Sequence, residues 1–201
     1  MGKSFRPEIE RLAKEIKAEG NTMLPPEHLL NIGMAVNSVK HLDGDMAEVG
    51  TWKGGSSKLI HLVGGKRVFS FDTFEGHPKP SNLDTSSQPE FRHKTDVEGV
   101  REYLKDYEDI IIYKGIFPAN SDLIDERDFS FVHIDVNLYQ GTIDSLKFFY
   151  PRMLKGGIIM LDNYPGIKGV KIAINEFLDA LPEKDAPIFE QLERRQAQIT
   201  K

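Results

Sequence analysis

The sequence contains no cysteine, although it is 201 residues long. This absence excludes a thiol nucleophile, a cysteine-ligated zinc or iron–sulfur centre and a disulfide framework. Long apolar runs are also missing, because segments such as 110–112 are far shorter than the ~20 residues of a membrane helix. Residues 1–20 are charged throughout and have no apolar stretch typical of a signal peptide. We therefore expect a soluble, cytoplasmic protein without a membrane partner.

Positive charge is in short supply as well. Lys and Arg number 26 against 31 Asp and Glu, which gives a formal net charge of −5. Proteins that bind phosphate backbones usually carry an excess of basic residues, so we predict no nucleic-acid partner. A chain of this length buries roughly 70% of its unfolded surface, which favours one domain over residues 1–201.

Strand-like and helical segments alternate after two leading helices, which we predict over 5–19 and 27–41. The predicted strands are 45–50, 67–72, 109–115, 129–135 and 156–163, and the predicted helices between them are 55–63, 96–107, 139–153 and 169–181. This alternation favours parallel strands joined by right-handed crossovers, hence a doubly wound α/β sheet. We divide the chain into a helical extension (1–43) and an α/β core (44–201). Residues 187–201 predict either a closing hairpin or a fraying tail.

Residues 75–95 form a long connection with three prolines and no periodicity. A loop of about 20 residues inside a compact domain is usually a lid or a binding loop. We therefore predict a lid over the site. The alternative is a disordered surface loop without a role in binding.

Four of the predicted strands carry a carboxylate at or near their carboxyl ends. These residues are Glu48, Asp72, Asp135 and Asp162. Ligands of open α/β sheets bind outside the carboxyl ends of the strands. Anions gathered at one edge repel each other unless a cation or hydrogen-bond donors lie among them, so we predict a cationic or hydroxyl-rich ligand. The alternative is four independent caps of turns and helices.

The first predicted strand continues into the glycine-rich turn EVGTWKGGSS. Glycines allow the backbone to approach a ligand closely, and the helix that starts near Ser56 offers N–H groups to a carboxylate. The spacing differs from the G-x-G-x-x-G of dinucleotide sites and from the P-loop. This difference disfavours a nicotinamide-dependent oxidoreductase on a similar sheet.

Three segments together resemble one known family. AEVGTWKGGSS, FSFDTFEGHP and FVHIDVNLYQGTIDSLKFFYPRMLKGGIIMLDNY are similar to the macrocin O-methyltransferase (TylF-like) family of class I S-adenosylmethionine-dependent methyltransferases. The resemblance covers 44–181. It implies a Rossmann-like, mostly parallel seven-stranded sheet, S-adenosylmethionine as cofactor, and Mg²⁺-assisted methylation of a hydroxyl on a small acceptor such as a sugar. A homo-oligomer is also possible for such a fold.

The resemblance also implies a set of cofactor-binding residues. The expected contacts are Glu48, Gly50, Thr51 and Gly54 around the methionine moiety, Ser56 near its carboxylate, Asp72 on the ribose hydroxyls, and Gly115 and Ile116 beside the adenine.

The oxygen-bearing side chains of Asp135, Asp162 and Asn163 suit a hard cation such as Mg²⁺. The resembled family more often has two aspartates where this chain has Asp162 and Asn163, whereas catechol O-methyltransferase relatives have such an Asp–Asn pair. We therefore expect metal binding of reduced affinity. We count Asp135 as catalytic too, because a metal held there would orient the acceptor hydroxyl.

The usual general base is missing. The resemblance implies Asp at position 137 or, in catechol-type enzymes, Lys at position 138, and this chain has Asn137 and Leu138. The remaining candidates for proton acceptor are His133 on a strand and His77 on the predicted lid. His28 is interpreted as a helix-surface or capping residue. The alternative to an active O-methyltransferase is a protein that binds the cofactor but has lost or altered catalysis.

Overall fold

The computed structural model of the protein describes residues 5–85, 87–119, 121–183 and 186–201. Residues 1–4 of the predicted helical extension and Ser86 of the predicted lid lie outside the described residues. The structural elements are, in chain order, α1 (Arg6–Ala18), α2 (Pro26–Val39), β1 (Asp45–Val49), α3 (Gly55–Gly64), β2 (Val68–Asp72), α4 (Val97–Tyr103), β3 (Ile110–Lys114), β4 (Phe129–Ile134), α5 (Tyr139–Arg152), β5 (Met153–Asp162), α6 (Lys168–Asp179), β6 (Ile188–Gln191) and β7 (Gln196–Thr200).

The strands form one seven-stranded sheet in the order β3-β2-β1-β4-β5-β7-β6. Strands β1 to β5 pair in parallel, and β7 pairs antiparallel with both β5 and β6. The predicted doubly wound, mostly parallel α/β sheet is therefore confirmed, and residues 187–201 adopt the hairpin rather than the tail. The chain leaves β1 toward β2 on one side and β4 toward β5 on the other, so the strand order reverses between β1 and β4. Such a reversal is where open sheets form a ligand-binding crevice.

Alternate residues of the strands pack on opposite faces of the sheet. Met46 and Phe131 belong to a buried cluster shared with α1, α2, α3 and α4. Their neighbours Ala47 and Val132 belong to a second cluster shared with α5 and α6. Because the side chains of a strand alternate with a period of two, a strand covered on both faces is apolar throughout. The core thus holds the strands rigidly, and their carboxyl ends are left at one edge.

Two element boundaries differ from the predictions by more than two residues, namely the end of α4 and the start of β5. Helix α4 ends at Tyr103 rather than 107, and it begins after Asp96, whose carboxylate accepts hydrogen bonds from two N–H groups of the first turn. Strand β5 begins at Met153 rather than at 156, directly after α5, because Met153 pairs with Phe129 before an irregularity in the register. Propensity alone gives no signal for such tertiary pairing.

Among the described residues, no helix is both long enough and apolar enough to cross a membrane.

Candidate active site

A cavity of about 1020 Å³ opens at the carboxyl ends of β1, β2, β4 and β5. Its walls are completed by the loop that follows β2, the segment before α2, and the turn between β6 and β7. Every described segment of the predicted lid contributes to this lining, from Gly76 to His93. The cavity therefore lies at the point where the strand order reverses, as expected for this architecture.

Asp72 is the anchor of one end of the cavity. Its Oδ2 accepts a hydrogen bond of 2.8 Å from the backbone of Trp52, and its Oδ1 accepts one of 2.7 Å from the backbone of Phe74. Burial raises the pKa of Asp72 and the charge of Glu48 adds to this, whereas the two N–H donors oppose the rise. Each carboxylate oxygen keeps a further lone pair for a ligand that donates hydroxyls.

Gly50 allows the turn after β1 to pack closely against a neighbouring turn at the wall of the cavity. Its φ is +99°, and a Cβ atom at this position would overlap the backbone carbonyl of Asp135. The missing side chain thus lets the turn after β1 lie directly against the turn after β4. Gly115 and Ile116 line the same end of the cavity, and Ile116 is 59% exposed despite being apolar. An exposed apolar side chain of this kind offers a surface to a flat ring.

The other residues expected around the cofactor do not line the cavity. These are Glu48 in β1, Thr51 and Gly54 in the turn that follows it, and Ser56 in the first turn of α3. Thr51 donates a hydrogen bond of 3.4 Å to the carbonyl of Phe71, and Gly54 has a φ of +88° immediately before α3. These residues shape the glycine-rich turn, and their direct contact with a cofactor stays a prediction.

A line of buried hydrogen bonds runs beneath the cavity across β1, β4 and β5. His133 is fully buried, and its Nδ1 lies 2.7 Å from Glu48 Oε1 while its Nε2 lies 2.7 Å from Asp162 Oδ2. Burial would lower the pKa of His133, but the hydrogen bonds to Asp162 and Glu48 raise it to about 10. The imidazole is therefore positively charged at neutral pH, and both of its nitrogens face carboxylates.

The line of buried hydrogen bonds continues beyond Glu48 toward α3 and β2. Glu48 also accepts a hydrogen bond from Ser57 of α3, and Ser57 accepts one of 2.8 Å from Ser70 of β2. The register pairs Glu48 with both Ser70 and His133, so the polar side chains lie side by side on one face of the sheet. We refer to Ser70, Ser57, Glu48, His133 and Asp162 together as the buried polar row.

His28 of α2 contacts the last residue of the buried polar row, Asp162. Its Nδ1 lies 2.7 Å from Asp162 Oδ1, and its ring also hydrogen-bonds the backbone of Arg194. Gln196 of β7 donates a further hydrogen bond of 3.1 Å to Asp162. Hydrogen bonds from His133 and His28 outweigh burial and lower the pKa of Asp162 to about 2. The interpretation of His28 as a helix-surface residue is therefore wrong, and its separation of 134 positions from Asp162 left no signal in the sequence.

A second chain of hydrogen bonds leads from the lid to the centre of the cavity. Asn137 donates through Nδ2 to His77 Nε2 at 3.1 Å. Asn163 donates through its Nδ2 to Asn137 Oδ1 and to Asp135 Oδ1, both at 2.8 Å. Burial, together with the positive charges of His93 and Arg92, lowers the pKa of His77 to about 4. His77 is thus a neutral imidazole whose Nε2 accepts a hydrogen bond.

The side chains of Asp135, Asp162 and Asn163 fit a hard divalent cation. Ligand atoms of Asp135, Asp162 and His133 lie within 4.8 Å of one another, but both nitrogens of His133 are already engaged. Burial, and then the charge of Asp162, raise the pKa of Asp135. Both effects disfavour the negative charge of Asp135, and a cation held beside it would offset them. A half-turn of the Asn163 amide would present its oxygen instead of its nitrogen.

A carboxylate of the lid also attaches it to the rim of the cavity. Asp84 accepts a hydrogen bond of 2.7 Å from the backbone N–H of Tyr139, the first residue of α5. Its other oxygen is bonded to the backbone and the hydroxyl of Ser81, at 2.8 and 2.7 Å. A carboxylate at a helix N-terminus is favoured by the free N–H groups and the helix dipole. The described part of the lid is thus docked over the cavity.

Comparison with known proteins assigns the chain to a family. It is 25% identical over 193 residues to the demethyldecarbamoylnovobiocin O-methyltransferase of Streptomyces niveus, covering 87% of this chain and 74% of that protein. It is 25% identical over 185 residues to the 8-demethyl-8-(2,3-dimethoxy-alpha-L-rhamnosyl)-tetracenomycin-C 4'-O-methyltransferase of Streptomyces olivaceus, covering 83% and 70%. The solved structure of the O-methyltransferase NovP superposes with a TM-score of 0.77 at 23% identity, over 90% of this chain and 82% of that chain. The family model for macrocin-O-methyltransferase (TylF) matches residues 3–190, so the chain belongs to the macrocin O-methyltransferase family.

Proposed function

We propose that this O-methyltransferase transfers the methyl group of S-adenosylmethionine to a hydroxyl of a sugar or of a glycosylated small molecule, with assistance from Mg²⁺. The observation that carries the proposal is the cavity at the sheet reversal, which has Asp72 at one end and the Asp135–Asp162–Asn163 cluster at the other. The first end suits a hydroxyl-rich cofactor, and the second suits a cation and an acceptor oxygen.

Asp72 and the glycine-rich turn would hold the cofactor. S-Adenosylmethionine supplies an electrophilic methyl group when it is bound. The carboxylate of Asp72, held by two backbone N–H groups, is the acceptor for the two ribose hydroxyls. Gly50 allows close approach of the backbone, and Ile116 offers an apolar surface for the adenine. The buried polar row fixes the turn from below through Ser57 and Glu48.

Asp135, Asp162 and Asn163 would hold the metal. A bound Mg²⁺ supplies Lewis acidity that lowers the pKa of an acceptor hydroxyl. The residues of this chain contribute orientation: His133 and His28 fix both oxygens of Asp162, and Asn163 fixes one oxygen of Asp135. Rate enhancement then rests on positioning of the reacting groups rather than on a covalent intermediate.

His77 is the better placed of the two histidines for accepting the proton. It lines the cavity, it is neutral at physiological pH, and its Nε2 points toward Asn137, the position of the expected base. His133 holds its proton between two carboxylates, which favours a role in positioning Asp162. Rotation of the Asn137 amide would free His77 Nε2 for an acceptor hydroxyl.

The acceptor class is proposed by analogy with the relatives. The tetracenomycin enzyme is, by its name, a 4'-O-methyltransferase whose acceptor carries a dimethoxy-rhamnosyl sugar. The cavity of about 1020 Å³ is large enough for a cofactor and a sugar together.

Calorimetric titration tests the cofactor part of the proposal. S-Adenosylmethionine and S-adenosylhomocysteine should bind the wild-type protein, and Asp72→Asn should weaken binding at least tenfold, since two hydrogen bonds to a charged acceptor are lost. Asp109→Asn is the matched control, because Asp109 is exposed and precedes β3 at the opposite edge of the sheet. Absence of binding to the wild-type protein, with or without Mg²⁺, would refute the proposal.

The second candidate function is cofactor binding without methyl transfer. Asn137 and Asn163 favour it, because amides stand where the family more often has carboxylates. An assay of radiolabelled methyl transfer to a panel of sugars and sugar conjugates separates the two. Cofactor binding without transfer, together with transfer gained in the Asn137→Asp/Asn163→Asp double variant, would support the second candidate.

A further inference from the structure

Three cations without partners line the cavity. Lys79, Lys168 and Arg195 border the cavity, and among the residues that the structure describes none of the three side chains forms an ion pair or a hydrogen bond. The neighbouring Arg194, in contrast, pairs with Glu27 at 2.8 Å. All three side chains are exposed, so each is available to a ligand that enters the cavity.

The backbone conformation of a tight turn at the rim of the cavity positions Arg195. It lies in the turn between β6 and β7, where Arg194 and Arg195 have left-handed φ values of +59° and +71°. Two consecutive non-glycine residues in this region are uncommon and carry strain. The hydrogen bond from His28 to the Arg194 backbone holds the turn against α2.

The side chain of Arg195 lies in a space left by a glycine. A Cβ atom on Gly166 would stand 2.7 Å from Arg195 Cδ and 2.9 Å from its Nε. Gly166 is the third residue after Asn163, so the base of the guanidinium group lies beside the loop that leads from the Asp–Asn pair to α6. This contact brings Arg195 to the end of the cavity where the acceptor is proposed to bind.

Lys168 approaches the same loop from its other end. It is the first residue of α6, and the residue that precedes it provides no side-chain cap for the helix. The free N–H groups of this first turn add a positive partial charge to that of the ammonium group. Lys79 extends from the lid into the same cavity, so the three cations come from three separate segments.

Among the described residues, no carboxylate of the cavity lining forms an ion pair with Lys79, Lys168 or Arg195. The acidic residues of the lining each accept hydrogen bonds from described residues: Asp72, Asp84, Asp135, Asp144 and Asp162. A neutral acceptor would make no charge-assisted hydrogen bond with these exposed cations. An acceptor with an anionic oxygen group would pair with them, and the planar fork of Arg suits phosphoryl and carboxylate oxygens.

We propose that the acceptor of this enzyme is a sugar that carries an anionic phosphoryl or carboxylate group, bound by Arg195 and Lys168 beside the loop after Asn163. The proposal rests on the proposed function, because it names the class of acceptor for that same site. Lys79 completes the binding site from the lid. Arg195 and Lys168 then select the acceptor and take no part in the transfer itself.

Calorimetry on the protein saturated with S-adenosylhomocysteine tests the proposal without knowledge of the natural acceptor. The probes are glucose, glucose 1-phosphate and glucuronate. Either anionic probe should bind at least tenfold more tightly than glucose, and this preference should shrink as salt concentration rises. Preference for glucose 1-phosphate identifies a phosphoryl group, and preference for glucuronate identifies a carboxylate. Equal binding of all three probes, or equal failure to bind, overturns the proposal.

Single variants assign the preference to residues. Arg195→Gln and Lys168→Gln should each reduce the affinity for the anionic probe about tenfold, while S-adenosylhomocysteine affinity changes less than twofold. Arg195→Lys keeps the charge and loses the fork, so it should lie between Arg195→Gln and the wild-type protein. Arg11→Gln, on the exposed side of α1, is the control for net charge. Undiminished anion affinity in both Gln variants contradicts the proposal. If the wild-type protein does not bind S-adenosylhomocysteine, the proposed function is contradicted, and the proposal about the acceptor falls with it.

Discussion

The Nε2 atom of His133 lies 2.7 Å from Oδ2 of Asp162, and both side chains are buried in the sheet. His133 at the same time holds Glu48 through its other nitrogen. One imidazolium thus compensates two carboxylates from neighbouring strands. The arrangement places a charged pair beneath the cavity and leaves Asp135, which has a raised pKa, at its surface.

Removal of the His133 imidazole should destabilise the fold strongly. His133→Asn leaves Glu48 and Asp162 buried without their common partner, so the free energy of unfolding should fall by about 3–5 kcal/mol. Urea denaturation in the absence of metal measures this loss. His41→Asn is the control, because His41 is exposed, and it should change stability by less than about 0.5 kcal/mol. Equal stability of the two variants would contradict the proposed role of the buried polar row.

Docking of the lid should depend on pH through His77. Its pKa is about 4 in the docked lid and 6.5 in an ordinary environment, so the open lid binds a proton more readily between these values. Docking is therefore strongest above pH 6.5 and weakens as the pH falls toward 4. Hydrogen exchange of residues 75–85 and 87–95, corrected for intrinsic rates, should be less protected at pH 5 than at pH 7.5.

The variant His77→Gln separates this effect from general acid destabilisation. The difference in lid protection between pH 5 and pH 7.5 should shrink in His77→Gln and persist in the control His41→Gln. A wild-type lid that exchanges equally at both pH values would show that His77 does not govern docking.

A third carboxylate should strengthen metal binding at a cost to the metal-free fold. Asn163 has a φ of +71°, a conformation that Asp tolerates as well. Asn163→Asp should raise Mg²⁺ affinity about tenfold, because ligand charge tunes the affinity of oxygen sites. The same variant should unfold at a lower temperature without Mg²⁺, since it adds a charge beside Asp135 and Asp162.

Asn163→Gly is the matched control for the metal prediction. Glycine accepts the same backbone conformation without strain but offers no side-chain oxygen. Titration calorimetry with Mg²⁺ should rank the affinities as Asn163→Asp, wild type, then Asn163→Gly. Identical affinities in the three proteins would exclude residue 163 as a ligand.

Replacing Gly50 by alanine should destabilise the protein, because the turns after β1 and β4 leave no room for a methyl group. Gly50→Ala adds a Cβ that overlaps the Asp135 carbonyl and strains a φ of +99°, so it should cost about 1–3 kcal/mol beyond the strain alone. Gly156→Ala isolates the strain, because Gly156 has a φ of +81° and open space around it, and it should cost about 1 kcal/mol. Thermal unfolding compares the two. Equal losses would contradict the close approach of the turns.

Much of the fold followed from the local sequence. The alternation of short β-rich and helical segments predicted a doubly wound sheet, because strand and helix periods are properties of the sequence itself. The glycine-rich turn and the carboxylates at strand ends also marked the correct edge of the sheet, since parallel strands bring their carboxyl ends together. The role of Asp72 and the metal residues at that edge stays a proposal that the geometry supports.

Tertiary structure decided which of these polar groups face the cavity. Glu48 lies one residue before the end of β1 and Asp72 ends β2, yet the pleat and the overlying helices bury Glu48 against His133 and leave Asp72 on the cavity wall. His28 and Arg195 reach the site from positions far along the chain, and no local pattern encodes a pairing between residues so distant. The sequence by itself determined the elements and the edge at which they converge, because local propensity and periodicity act within each segment. Only the packed sheet decides which charged side chains are removed from water and which face the cavity. Glu48 and His133 are buried in the sheet, whereas Asp72 and Asp135 line the cavity.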